Sequence, residues 1–161
     1  MVRPLINFWR RPWSDKWLFI QVYFLLGVSR LAILTLRFKR LAARLGQHME
    51  ESSDELTDDE IEVSRRISWA VRRASALTPW KSNCFPQAIT AQYLLRRNKI
   101  VSTLYLGAML DDDEGMKAHA WLRCGPRIVT GREAHRQFGV VATFSATMKS
   151  KERVDERHCS G

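Results

Sequence analysis

Cysteine is scarce. Cys84, Cys124 and Cys159 are the three in 161 residues, and no two of them form a C-x-x-C pair. A disulfide framework and a zinc knuckle are thereby excluded, and a reduced, cytoplasmic setting is expected. Glycine and proline are also few, eight and five, which excludes collagen-like and low-complexity chains. No clean apolar run reaches the ~20 residues of a spanning helix. The longest, Trp17 to Ser29, contains Gln21 and stops at Arg30. No small-x-small cleavage site follows it, so a secretory signal is a poor fit. Asp111-Asp112-Asp113 resembles a metal loop only superficially. Its glycine comes too early and no glutamate closes a calcium-loop spacing, so it reads as a solvated turn. No metal and no cofactor are expected.

Acids are missing from long stretches, and that absence organises the chain. Residues 1–46 hold nine basic side chains and one acid, Asp15; 47–62 hold eight acids and no base; 63–103 hold eight bases and no acid. The net +9 is therefore a set of alternating blocks. Such blocks are most often solvated helix faces, and here they favour acidic partners or anionic lipid. No helix-turn-helix, zinc-finger spacing or RNP-like aromatic motif is present, so nucleic acid is not expected as a partner. The hydrophobic fraction, 45%, is that of one ordinary globular domain with a helical extension.

What is there reads first as helix. Asp15 to Leu45 is predicted as amphipathic helix, started by Ser14 or Asp15 and ended by Gly46. Arg30, Arg37, Arg40 and Arg44 share one face, and Leu31, Leu34, Phe38, Leu41 and Leu45 mark the opposing apolar stripe. With Trp9, Trp13 and Trp17 among basic residues, segment 9–45 fits either core packing or docking to a membrane surface or partner. The acidic segment reads as a linker. Thr57-Asp58-Asp59-Glu60 is a capping box that opens a helix running to Leu77, before Thr78-Pro79.

Candidate chemistry begins at Trp80-Lys81-Ser82-Asn83-Cys84-Phe85-Pro86-Gln87. Pro86 suits a first helical turn, and Ala88, Ala91, Leu94 and Leu95 give the helix behind it a buried face. Cys84 thus stands at a helix N-terminus, where free N–H groups and the dipole stabilise a thiolate and an oxyanion. A lone cysteine in such a context is more often packing than nucleophile. Strands are predicted at 100–108, 118–123, 128–130 and 139–144, with Gly125-Pro126 as a hairpin turn. The hairpin brings positions 130–133 beside His119. A helix-borne cysteine facing a strand-borne histidine, with a third polar group to orient the ring, is what thiol acyl transfer requires.

Cys84-Phe85-Pro86-Gln87-Ala88, Leu94-Leu95-Arg96-Arg97, Ser102 to Gly107, Ala118-His119-Ala120-Trp121-Leu122 and Val140 to Phe144 resemble, in that order, the transglutaminase-like B2 proteins of lasso-peptide biosynthesis, which are leader peptidases. The resemblance covers about residues 60–145. It implies an α+β fold: a helical N-terminal region, then a papain/transglutaminase-like domain with a nucleophile helix on a small antiparallel sheet. The expected units are 1–56 (helical extension and linker), 57–148 (peptidase domain) and 149–161 (polar, disordered tail). Cys84 matches the family nucleophile and His119 its base. The family's third residue, an aspartate, falls at Gly131, and no aspartate occurs between His119 and Asp155. Glu133 takes the orienting role, with Thr130, a backbone carbonyl or water as alternatives. Trp80 and Trp121 flank the site and wall a substrate groove or pack in the core. Asn83 and Gln87 are lesser candidates as oxyanion donors. Implied partners are the precursor peptide, a separate leader-recognition protein and a lasso cyclase. A transglutaminase-type acyl transferase and a non-enzymatic membrane or partner adaptor are the rival functions.

Overall fold

The computed structural model describes residues 12–52, 54–111 and 115–146. Trp9, residues 112–114 of the acidic turn, and the tail with His158 and Cys159 lie outside them. Helix α1 spans Trp13–Thr35, longer than the clean apolar run because Arg30 does not interrupt it. At 23 residues and a mean hydropathy of 1.8 over its best window, it is long and apolar enough to cross a membrane by length and composition. The amphipathic helical segment expected over 15–45 is two helices. Thr35 Oγ1 donates to the Leu31 carbonyl at 2.8 Å, and Leu36 and Arg37 are extended (ψ 139° and 137°) before α2, Phe38–Leu45. A side-chain hydroxyl competing for a helix carbonyl favours such a break. The break also re-aims the chain. Leu41 and Leu45 are buried, whereas Leu31, Leu34 and Phe38 of the expected continuous stripe stay exposed.

Gly46, with φ 125°, ends α2 where a Cβ would collide with the Ser145 carbonyl, a conformation and approach that favour glycine. The chain then forms β1, Gln47–His48, an unexpected two-residue strand. The acidic segment beyond it is pinned down. Arg123 donates to the Ser52 carbonyl at 3.1 Å and pairs with Glu51 at 3.2 Å and with Asp54. Ser52 and Thr103 share a buried hydroxyl bond of 2.9 Å.

Helix α3, Asp58–Ser75, opens on the expected capping box: Thr57 N donates to Glu60 Oε2 at 2.8 Å and Glu60 N to Thr57 Oγ1 at 3.4 Å. Helix α4 is Cys84–Arg97. The strands β2 (Thr103–Asp111), β3 (Gly115–Cys124), β4 (Arg127–Thr130) and β5 (Gly139–Ser145) join β1 in one antiparallel sheet of order β1-β5-β2-β3-β4. This is the α+β architecture expected.

Strand alternation places Leu104, Ala120 and Leu122 on one face, where they share a core with Ile67 and Val71 of α3 and Ala88, Ala91 and Leu95 of α4. Helix α1 adds Val22 and Leu26, both fully buried; each side chain contributes about 1.5–3 kcal/mol by leaving water. Its polar residues dock it as well: Asp15 accepts from Arg66 Nε at 2.8 Å, and Ser29 shares a 2.9 Å bond with Thr90 of α4. Tyr105, Gly107, His119 and Trp121 alternate to the sheet's other side. His119, beyond the stretch of β3 that β4 pairs with, reaches the Gly131 carbonyl at that edge and the cavity it shares with Cys84.

Candidate active site

Cys84 is the first residue of α4, with Asn83 as its cap. The first intrahelical bond is Gln87 N to Asn83 O at 3.3 Å. Pro86 has no N–H, so the amides of Cys84 and Phe85 are helix-end donors without an intrahelical partner. Gln87 Nε2 instead donates to the Ser82 carbonyl at 2.7 Å, which bridges the loop and the helix start. The Cys84 thiol is free and half-buried.

His119 sits on β3 directly opposite Gly107 of β2, and Trp121 opposite Tyr105. A Cβ on Gly107 would lie 2.7 Å from the Trp121 ring and 2.8 Å from Phe138 Cβ. This explains why a Leu-Gly strand accompanies a His-Ala-Trp strand: the missing side chain makes room for the indole. Trp121 then stacks on Tyr105 (5.4 Å, 2°) and lies 6.0 Å from the His119 ring, and Phe138 covers that ring at 5.1 Å.

The orienting partner of His119 is a backbone group. Its Nε2 lies 3.0 Å from the Gly131 carbonyl oxygen. A carbonyl only accepts, so Nε2 carries the proton and Nδ1 of the neutral ring is the acceptor. Gly131 has φ 74°, and a Cβ there would lie 2.6 Å from the Ala120 carbonyl and 2.8 Å from Trp121 Cβ. The position at which the resemblance places an aspartate therefore has no room for a side chain and offers its carbonyl instead. Thr130 Oγ1 is buried without a partner among the described residues. Glu133 is exposed on the rim of the same site.

Cys84, Gln87, His119 and Glu133 line one cavity of about 480 Å³, bounded by α3, the start of α4 and the β4 strand with the turn after it. Three arginines, Arg72, Arg127 and Arg132, also line it, and none is ion-paired among the described residues. Sequence reasoning missed them because they come from two segments distant in the chain, α3 and the β4 strand with its following turn. It missed Phe138 because that residue lies in a turn before β5. Neither Trp80 nor Trp121 lines this cavity. Trp121 is 4% exposed and lies beneath the histidine. Trp80 turns to α1, against Tyr23 at 5.3 Å and Gly27. The second described cysteine, Cys124, is fully buried, with Sγ 3.4 Å from the Val101 carbonyl. Burial, with help from Glu60, pushes its thiol up to about 11. Among the described residues no three metal-ligating side chains come together.

A family model described as the transglutaminase-like superfamily matches residues 31–143. No curated protein and no solved structure matches the chain.

Proposed function

The chain belongs to the transglutaminase-like superfamily, and from that premise we propose that it is a cysteine peptidase removing the leader from a ribosomally made lasso-peptide precursor. The superfamily is in general one of cysteine peptidases and acyl transferases. The chemical half of the proposal rests on one observation: Cys84 at a helix start and His119, its Nε2 held by a carbonyl, line the same cavity. The choice of substrate rests on the ordered resemblance of the Cys84, Gly107, His119 and Val140 segments to lasso-peptide leader peptidases.

In the proposed reaction, His119 Nδ1 takes the Cys84 proton and the thiolate attacks the carbonyl carbon joining leader to core. The Cys84 and Phe85 amides donate to the oxyanion. Collapse breaks the C–N bond, and the imidazolium returns its proton to the leaving amine of the core. Water, deprotonated by His119, then attacks the thioester, releasing the leader carboxylate and the free thiol. A separate recognition protein presents the leader, and a cyclase takes the freed core amine.

The test is incubation of the full chain with a lasso precursor and its leader-recognition protein, read by mass spectrometry. The proposal expects a leader with a new carboxylate and no product from Cys84→Ala. An adduct carrying an added amine would assign the site to acyl transfer instead. Undiminished cleavage by Cys84→Ala would exclude the thiol mechanism.

A further inference from the structure

We propose that α1 is a membrane-surface anchor whose outer face inserts into the interfacial layer of an anionic bilayer while its inner face stays docked on the domain. Trp13, Trp17, Phe24, Val28, Leu31 and Leu34 follow one another at spacings of three, four and seven, and each is between 61% and 83% exposed. They form one stripe about 32 Å long at a rise of ~1.5 Å per residue. The polar residues Asp15 and Ser29 point the other way, buried and bonded to Arg66 and Thr90. A helix on a soluble protein puts its apolar stripe inward; α1 presents a second one outward. A contiguous exposed apolar patch of this kind marks a docking surface.

Charge selects the occupant. Asp15, the sole acid in residues 1–46, is buried against Arg66. Arg37, Lys39, Arg40 and Arg44 are exposed just beyond the stripe, and Lys16 lies 5.1 Å over the Trp13 ring at its start. A second copy of the chain would set these cations against their own kind, whereas anionic headgroups complement them. Tryptophan and basic residues flanking leucine and phenylalanine is the composition of a helix lying in the interface plane. A spanning arrangement would strip Val22 and Leu26 from the core and break the Asp15–Arg66 pair, leaving Asp15 and its charge on the inserted helix.

The experiment is co-sedimentation of the full chain with vesicles of equal parts phosphatidylcholine and phosphatidylglycerol, and with phosphatidylcholine alone. Binding should be about tenfold weaker without the anionic lipid. The double variants Phe24→Asn/Leu31→Asn and Arg40→Glu/Arg44→Glu should each weaken it by about tenfold or more, with unchanged melting temperature. Alkaline carbonate should release the bound protein. Absence of binding, equal binding by the Phe24→Asn/Leu31→Asn variant, or resistance to carbonate would overturn the proposal. So would a lipid-free dimer abolished by that variant, which would give the stripe to a second copy. Should that variant fail to fold, quenching of tryptophan fluorescence by spin-labelled lipid provides the same decision: quenching diminished in Trp17→Phe supports insertion, and none in the unmodified chain overturns it.

Discussion

The imidazole of His119 is held by the carbonyl of Gly131, 3.0 Å from Nε2, across a ladder that ends at the Leu122–Thr130 pair. The bond sets the tautomer without a carboxylate. It also makes a residue with no side chain part of the site's geometry.

Gly131→Ala is expected to lower both stability and turnover. A Cβ at φ 74° meets the Ala120 carbonyl and Trp121, and the strain costs about 1–3 kcal/mol. Gly131→Asp, although it supplies the family's carboxylate, suffers the same collision and should not raise kcat. Thermal melting with single-turnover cleavage measures both. An aspartate variant faster than the parent would show that the side chain fits after all.

Glu133→Gln should leave kcat within about twofold, because the ring's bond is already made by the backbone. A fall of tenfold or more, with the pH profile displaced, would return the orienting role to the Glu133 carboxylate.

Arg72, Arg127 and Arg132, none of them ion-paired among the described residues, line the cavity. Peptides with an acidic side chain near the scissile bond should therefore be favoured. Arg127→Ala is expected to raise KM severalfold for such peptides, and less at high salt. Unchanged KM for acidic and neutral peptides alike would show that the arginines do not meet substrate.

The two described thiols should behave oppositely. Iodoacetamide is expected to alkylate Cys84 in the native protein and to spare Cys124 until the chain unfolds. The folded state holds the Cys124 proton more tightly than the unfolded chain does, with a pKa of about 11 against 9.0. Its contribution to stability is therefore complete below pH 9.0 and is lost as pH rises toward about 11. Denaturant titrations across that window should show a shallower decline for Cys124→Ala than for the parent. Parallel slopes would mean that the thiol does not titrate on unfolding. Tyr105, also raised by burial, declines in the same direction in both proteins and cancels in the comparison.

Much of the framework was legible locally. The Thr57–Glu60 capping box, the Cys84 helix start beside Pro86, the Gly125-Pro126 hairpin and the β-branched run before Ser145 each carry their signal within a few residues. The strand at 47–48 did not, because two polar residues have no alternation to read and pair only because β5 offers an edge. The break at Leu36–Arg37 was hidden for a similar reason: the arginine and leucine periods continue through it, while burial of Leu41 and Leu45 demands the turn. Trp80 and Trp121 flank the site in sequence, yet packing sends one against α1 and the other under the histidine.

Sequence alone determined which groups are available for chemistry, Cys84 before a helix and His119 on a strand, because capping and alternation are short-range properties. Tertiary structure decided which atom holds the imidazole and which face of α1 is free. The first depends on a glycine carbonyl brought round by the turn after β4. The second depends on partners distant in the chain, Arg66 for Asp15 and Thr90 for Ser29. Those bonds turn the polar residues of an apolar helix inward and leave its tryptophan-edged stripe outside, an outcome the +9 charge and the periodicity of residues 13–45 are equally compatible with reversing.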